Sequence, residues 1–290
     1  MNFKKLTAVI CACLLLGGCS GCSLFKPTLN SVLLNLSAVL AETESVDFDL
    51  ETTGTLESET SLFNFSSDLS ALMNIQALTK EKLAHVKGSY SFTLFDYPLD
   101  SETEIYFQGG KEENTLYVAG NGSQWTKTTM KNKVGENGDN IGFLHIFKVL
   151  TEFKDDFVLE EETRACPYRV GGVEKEDENR DCYLVTGTVP GKVVMQVADI
   201  LTEKDTENNS DVFSVKLDEQ TFQVQLYVDK ESSEPAVLKM WIEEPVEISI
   251  PQIQQYLELD TKIADTKINL WFNSFNGDIT IQIPEEALNG

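Results

Sequence analysis

Apolar and polar residues alternate along most of this chain, which is the two-residue period of a β-strand with one buried face. Val46, Phe48 and Leu50, for example, are separated by acidic residues. The same period predicts strands around Phe63–Phe65, Ala71–Ala77, Tyr90–Leu94, Ile105–Phe107, Leu116–Val118, Phe157–Glu161, Tyr183–Val189, Phe213–Leu217, Phe222–Val228, Val237–Ile242, Val246–Ile250, Ile268–Phe272 and Ile279–Ile283. A helix remains the alternative at Ala71–Ala77, because Leu69 and Leu72 also fit helical spacing.

Three segments instead repeat their apolar residues every three or four positions and are predicted to be helices with one apolar face. They are Leu29–Leu40, Ile141–Phe153 and Val193–Leu201. Pro190 precedes the third of them, and proline is favoured at a helix start because its missing N–H has no helical partner there. The charged run between Cys166 and Cys182 contains Gly171-Gly172 and is predicted to be an exposed excursion.

The many one-sided strands and few one-sided helices predict the α+β class, with an antiparallel sheet and helices packed on one of its faces. The length allows one large domain or two small ones. We expect a single domain over residues 29–290.

Leu16-Gly17-Gly18-Cys19 resembles a bacterial lipobox, where a signal peptide is cut before a cysteine that becomes lipidated. Lys4 and Lys5 precede the apolar run Leu6–Leu16, which is too short for a membrane-spanning helix and typical of a signal peptide. Residues 1–18 are therefore predicted to be a lipoprotein signal peptide, with Cys19 lipidated and 19–28 a tether. Cys22 is a weaker alternative site, and an ordinary buried helix is the alternative for the whole segment.

Negative charge dominates the sequence, with 23 Lys and Arg against 47 Asp and Glu and a net charge of −24 at pH 7. Such a surface repels nucleic acid, so we expect no nucleic-acid partner. Simple solubility explains the charge without any ligand.

Only two of the six cysteines, Cys166 and Cys182, lie in the predicted folded body. Outside the cytoplasm such a pair forms a disulfide, which is our prediction. Zinc is the alternative and would need further ligands, but the two histidines, His85 and His145, are isolated. Two free thiols remain a third possibility.

Motifs for catalysis are absent: there is no Gly-x-Ser-x-Gly, no His-Glu-x-x-His and no phosphate-binding glycine loop. We therefore predict that the protein is not an enzyme and has no cofactor or metal site. Asp205 to Asp211 has the alternating oxygen spacing of a calcium loop, but Ser210 replaces the required glycine and a solvated turn is expected. Trp125, Trp241 and Trp271 are predicted to pack on the sheet rather than bind sugar, with Trp241 the most exposed.

Several features together resemble Gram-positive lipoproteins of the LolA/LppX-like superfamily. They are the lipobox, the leading helix, Trp125 and Lys127, the Tyr227-Val228-Asp229-Lys230 strand end, Phe275-Asn276, and the ending Ile281-Gln282-Ile283-Pro284-Glu285-Glu286-Ala287. The resemblance implies a curved, unclosed antiparallel sheet, or half-barrel, with helices on its concave face. It also implies an apolar cavity between sheet and helices. The ligand-contacting residues of relatives match no motif here, so ligand-binding residues stay unassigned.

Three functions follow as hypotheses. The first is a monomeric lipoprotein, anchored through Cys19 at the extracytoplasmic face of a bacterial membrane, that binds a lipid or acylated molecule. The second is a structural or adhesive surface lipoprotein without a small ligand. The third, an enzyme acting on cell-wall material, has the least support because no catalytic motif is visible.

Overall fold

One antiparallel sheet dominates the computed structural model, which describes residues 26–59, 64–94, 97–131, 147, 154–194, 214–215, 217, 219–249 and 260–289. Its strands are β1 (Ser45–Glu59), β2 (Asn64–Leu78), β3 (Leu83–Leu94), β4 (Tyr97–Gly109), β5 (Glu113–Gly120), β6 (Thr126–Lys131), β7 (Phe157–Leu159), β8 (Arg164–Val170), β9 (Val173–Pro190), β10 (Ser214–Val215), β11 (Thr221–Asp229), β12 (Pro235–Trp241), β13 (Val246–Ser249) and β14 (Asp260–Phe275). The helices are α1 (Leu29–Ala41) and α2 (Glu285–Leu288). Residues 154–156 form a 3₁₀ turn and residues 191–194 are helical.

The spatial order of the strands is β6-β5-β4-β3-β2-β1-β14-β12-β11-β9-β7, with β8 beside β9 and β13 between β10 and β14. Strands β1 to β6 form a meander of successive antiparallel neighbours. Within the described strands the two ends of the order do not pair, so the sheet is not closed into a barrel. This confirms the predicted open antiparallel sheet, and the arrangement fits a half-barrel.

Helix α1 begins where the sequence predicts, because Thr28 and Ser31 cap it reciprocally. The Thr28 hydroxyl accepts a hydrogen bond from the Ser31 N–H (3.2 Å), and the Ser31 hydroxyl accepts one from the Thr28 N–H (3.0 Å). One face of the helix is buried, through Val32, Leu33, Leu36 and Leu40. That face belongs to the main hydrophobic core.

The main core lies between α1 and one face of the sheet. Its most deeply buried side chains come from the middle of the sheet and from α1: Leu36, Val46, Val185, Phe222, Val224, Leu226, Val228, Leu238 and Val246. Phe147 and Val193 are helical and are buried in the same core. They belong to the predicted helices Ile141–Phe153 and Val193–Leu201, whose other residues lie outside the described part, except Val194.

The predicted excursion between Cys166 and Cys182 is a β-hairpin whose pairing register shifts between Ala165 and Cys166. Its strand β8 pairs with the first half of β9, and the turn at Gly171-Gly172 has positive φ angles of 58° and 81°, which glycine adopts without a steric penalty. Arg169 and Glu174 reach β1 and β12 by ion pairs with Glu51 and Lys239. The hairpin is thereby linked to the face of the sheet opposite the main core, which we call the second face.

Two local predictions have clear outcomes. Ala71–Ala77 belongs to strand β2, so its alternation and not its alternative helical spacing decides the structure. The predicted strand Ile279–Ile283 is wrong, because this segment has no strand structure and leads into α2. Its alternating isoleucines, Ile281 and Ile283, instead pack against a separate cluster that contains Tyr106, Tyr117 and Ala287. Burial of alternate side chains in a segment that is not a strand thus produces the same alternation of apolar and polar residues as a strand does.

Candidate functional site

A band of apolar side chains crosses β3, β4 and β5 on the same face as the main core. Val86, Ile105 and Val118 are cross-strand partners in that order. Because partners in a ladder share a face and Val86 also pairs with Ile75 of the main core, these side chains continue the core surface. Phe107 and Leu116 form the neighbouring pair. We call these five residues the apolar row.

The apolar row differs from the core under α1 in its exposure. Leu36 and Leu238 are essentially fully buried, whereas all members of the apolar row are only half-buried. A hydrophobic molecule placed on the row would remove more of its surface from water, at about 25 cal/mol for each Å² of apolar surface buried. Side chains of this kind offer no hydrogen bonds, so they would select against polar ligands.

Two cavities lined by described residues differ in character. The first, of about 460 Å³, lies among Glu42, Glu44, Glu81 and Asp278 near the start of β1 and is mainly polar. The second, of about 340 Å³, lies on the second face, where Glu51, Glu102 and Arg169 stand beside apolar surface that includes Leu72. The apolar row lines neither of these two cavities.

A polar network on the second face is centred on the Glu51 carboxylate. It accepts hydrogen bonds from Arg169 Nη2 (2.9 Å), Trp271 Nε1 (3.3 Å) and Asn269 Nδ2 (3.3 Å). Lys239 lies over the Trp271 ring, 5.3 Å from its centroid. Sequence analysis did not identify this network, because its members are far apart along the chain and no local motif joins them.

Two of the three tryptophans are packing residues. Trp271 is 3% exposed and donates to Glu51. Trp125 packs against Tyr106, with ring centroids 5.6 Å apart. Trp241 lies on the same face of β12 as Lys239 and is half-buried.

Tyr106 connects the Trp125 cluster to His85 and Glu104. His85 stacks on its ring at 4.4 Å, and both residues reach Glu104 Oε1, at 2.8 Å from His85 Nε2 and 3.1 Å from the Tyr106 hydroxyl. Burial, together with the hydrogen bond to Glu104 and its charge, raises the pKa of Tyr106 to about 12. The hydroxyl therefore stays protonated and donates to the carboxylate. His85, isolated in the sequence, has a structural partner.

Cys166 and Cys182 are joined by a disulfide with an S–S distance of 2.04 Å. Both are almost completely buried, beside Ala236 and Tyr227. The bond links β8 to β9 at the base of the hairpin that delivers Arg169 to Glu51.

Among the described residues, no group of three or more His, Cys, Asp and Glu side chains is arranged to hold a metal. The predicted lipidation site, Cys19, and the calcium-like stretch Asp205 to Asp211 lie outside those residues.

Asp229, at the end of the Tyr227-Val228-Asp229-Lys230 segment, is a buried structural carboxylate. Its Oδ1 accepts from the backbone N–H groups of Glu231 (2.8 Å) and Ser232 (2.9 Å), and its Oδ2 accepts from Arg180 (2.8 Å from Nη2). Burial by itself raises the pKa of Asp229, but these hydrogen bonds and the Arg180 charge outweigh it and hold the pKa below its ordinary value. The carboxylate fixes the turn after β11 through the two backbone N–H groups and links it to β9 through Arg180.

Within the part of the chain described, no helix combines the length and apolar content that crossing a bilayer requires.

Comparison with known proteins gives structural likenesses only, since no family model and no curated protein matches the chain. The chain is similar to a beta-barrel-like protein of a domain of unknown function from Brucella abortus, with 5% identity, a TM-score of 0.28 and coverage of 80% of this chain and 100% of that chain. It is also similar to a LolA superfamily protein from Nitrosomonas europaea, with 11% identity, a TM-score of 0.19 and coverage of 90% and 96%. A protein domain named for outer membrane lipoprotein sorting, from Vibrio parahaemolyticus, has 11% identity, a TM-score of 0.22 and coverage of 87% and 95%. LolA-type proteins are thus among the structural neighbours, but scores this low assign neither a family nor a function.

Proposed function

We propose that this protein is an extracytoplasmic lipoprotein, anchored to a bacterial membrane through Cys19, that binds a lipid or acylated molecule against the apolar row. The observation that carries the proposal is the continuation of the core face into half-buried apolar side chains on β3 to β5. The proposal assigns no catalytic residue and no cofactor, and it treats the protein as a monomer.

The helices would complete such a site. Helix α1 already covers the middle of the sheet, and Phe147 and Val193 enter the same core. In the proposal this face is the concave side of a half-barrel, and the predicted helices Ile141–Phe153 and Val193–Leu201 lie on it. A hydrophobic ligand would then be held between these helices and the apolar row. The apolar row lines neither described cavity, which supports the second candidate, a structural or adhesive lipoprotein without a small ligand.

Ligand binding is tested by introducing polar side chains into the apolar row. In Ile105→Gln/Val118→Gln, two adjacent apolar partners are replaced by amides that a hydrophobic ligand cannot satisfy. We expect the Kd of the neutral fluorescent probe N-phenylnaphthylamine to rise about tenfold, corresponding to roughly 1.4 kcal/mol. Fluorescence titration of the purified protein measures this, and native mass spectrometry shows whether a lipid co-purifies.

Ala119→Gln is the matched control, because Ala119 is adjacent to Val118 on β5 and faces the opposite side of the sheet. It should bind the probe like the wild type. A wild-type protein that binds neither the probe nor a lipid would establish the structural or adhesive candidate instead. Equal losses in both variants would show that the apolar row is not the site.

The anchor is tested separately with Cys19→Ala. Without the thiol no thioether to diacylglycerol forms, so we expect an unlipidated protein, released or still uncleaved. One acyl chain gives marginal membrane binding and two give stable anchoring, so the loss should appear in detergent phase partition as well as in intact mass. Cys22→Ala is the control and should remain lipidated; the reverse result would move the anchor to Cys22.

A further inference from the structure

The second face carries a groove of about 340 Å³ across β1 to β4, on the side of the sheet opposite the apolar row. Two successive rungs of cross-strand partners line it. One rung is Thr53, Ser70, Ser91 and Asp100, and the next is Glu51, Leu72, Ser89 and Glu102. With strands about 4.8 Å apart, each rung extends about 14 Å across the sheet. The groove thus presents the hydroxyl groups of one rung, which ends at Asp100, beside a second rung that has a carboxylate at each end.

Arg169 lines the same groove with a donor that is not used. The side chain is 11% exposed, and its Nη2 donates to Glu51 at 2.9 Å. Its other terminal nitrogen, Nη1, is buried and has no hydrogen-bond partner among the described residues. A guanidinium has five N–H donors, and a buried donor left unpaired is costly. Because Nη1 has almost no exposed surface, a small shift of the Arg169 side chain would bring it to an oxygen atom of a ligand lying in the groove.

The charges around the groove restrict what such a ligand can be. Glu51, Asp100 and Glu102 outnumber Arg169, so an anionic ligand is repelled. A cation without hydroxyl groups would pair with the carboxylates but has no acceptor for Arg169 Nη1. A neutral ligand with several hydroxyl groups meets both requirements, since each hydroxyl donates to carboxylates and accepts from the guanidinium and the serines. Leu72, which is 39% exposed, offers an apolar contact to the C–H face of a sugar ring.

We infer that the groove on the second face is a binding site for a neutral saccharide, with Arg169 and the serine rung as its recognition groups. The site does not rest on the proposed function, because it uses different residues on the opposite side of the sheet. Binding at both faces would connect a hydrophobic ligand or anchor on one side with a glycan on the other.

The test measures saccharide binding to the full chain, purified in a detergent without a sugar headgroup. Titration by NMR or calorimetry uses the neutral oligosaccharides chitotriose, cellotriose and maltotriose, with the anionic trisaccharide sialyllactose as the comparison. We expect at least one neutral oligosaccharide to bind and sialyllactose to bind at least tenfold more weakly. Absence of binding by all three neutral sugars, or equal binding of sialyllactose, would overturn the inference.

Two variants locate the site. Arg169→Lys keeps a positive charge beside Glu51 but removes the second terminal nitrogen, so we expect the saccharide Kd to rise about tenfold. Ser70→Ala leaves the ion pair intact and should raise the Kd about fivefold. Ser66→Ala is the matched control: Ser66 is also an exposed serine of β2 but does not line the groove, and its Kd should be unchanged. A Kd that is unaffected by Ser70→Ala and by a folded Arg169→Lys variant would place any sugar binding elsewhere.

Discussion

Replacing Leu238 with alanine should lower the free energy of unfolding by about 2–5 kcal/mol. Leu238 lies on β12 in the middle of the sheet, is 0% exposed, and belongs to the core under α1. The substitution removes buried methyl groups and leaves a cavity that the paired neighbours, Leu226 and Leu270, cannot close without moving the sheet. Urea unfolding followed by circular dichroism measures the change.

Leu34→Ala makes the same chemical change at a site where no loss of stability is expected. Leu34 is on α1 but is 70% exposed, so little burial is lost, and alanine has the higher helix propensity. The unfolding midpoint should stay within the range of an ordinary surface substitution, about 0.5 kcal/mol. Similar destabilisation by both substitutions would mean that α1 does not pack on the sheet by the face that carries Leu33 and Leu36.

Helix α1 and many of the strands could be predicted from sequence because they bury mainly one face. The alternation in Val46–Leu50 and the three- and four-residue spacing in Leu29–Leu40 are direct consequences of that burial, and the structure confirms both. The strand predicted at Ile279–Ile283 is wrong for a related reason. Ile281 and Ile283 alternate because they cover the Tyr106 and Tyr117 cluster, and alternation reports burial of side chains but not pairing of the backbone.

The second face could not be predicted in the same way. The hydrogen bond between Arg169 and Glu51 joins residues 118 positions apart, and the one between Trp271 and Glu51 joins residues 220 apart. Such contacts depend on strand order and on the path of the β8–β9 hairpin, and neither is encoded in local periodicity. The groove residues have no common motif either, because the serines come from different strands and align only through the register.

Removing the disulfide should have an effect of similar size to the core substitution. In Cys166→Ala/Cys182→Ala, a loop closed over a sequence separation of 16 is opened, and the unfolded chain gains entropy. We expect the free energy of unfolding to fall by about 3 kcal/mol. Alanine is chosen because both positions are buried, and a serine hydroxyl would add an unpaired polar group. Equilibrium unfolding of a secreted chain lacking residues 1–23, which retains only these two cysteines, measures the loss.

Treatment with a reductant distinguishes the contribution of the disulfide bond to stability from that of the packing of the two side chains. Dithiothreitol should destabilise the wild-type chain by about the same ~3 kcal/mol and leave the double-alanine variant unchanged. Because Cys166 is three residues before Arg169 on β8, opening the bond should also speed amide hydrogen exchange in β8 and in the facing half of β9, before the rest of the sheet exchanges. Two reactive thiols in the unfolded, unreduced protein, with no response to reductant, would show that the native protein holds free cysteines. The hairpin would then be held to the sheet without a covalent bond, by ion pairs such as those of Arg169, Arg180 and Lys239.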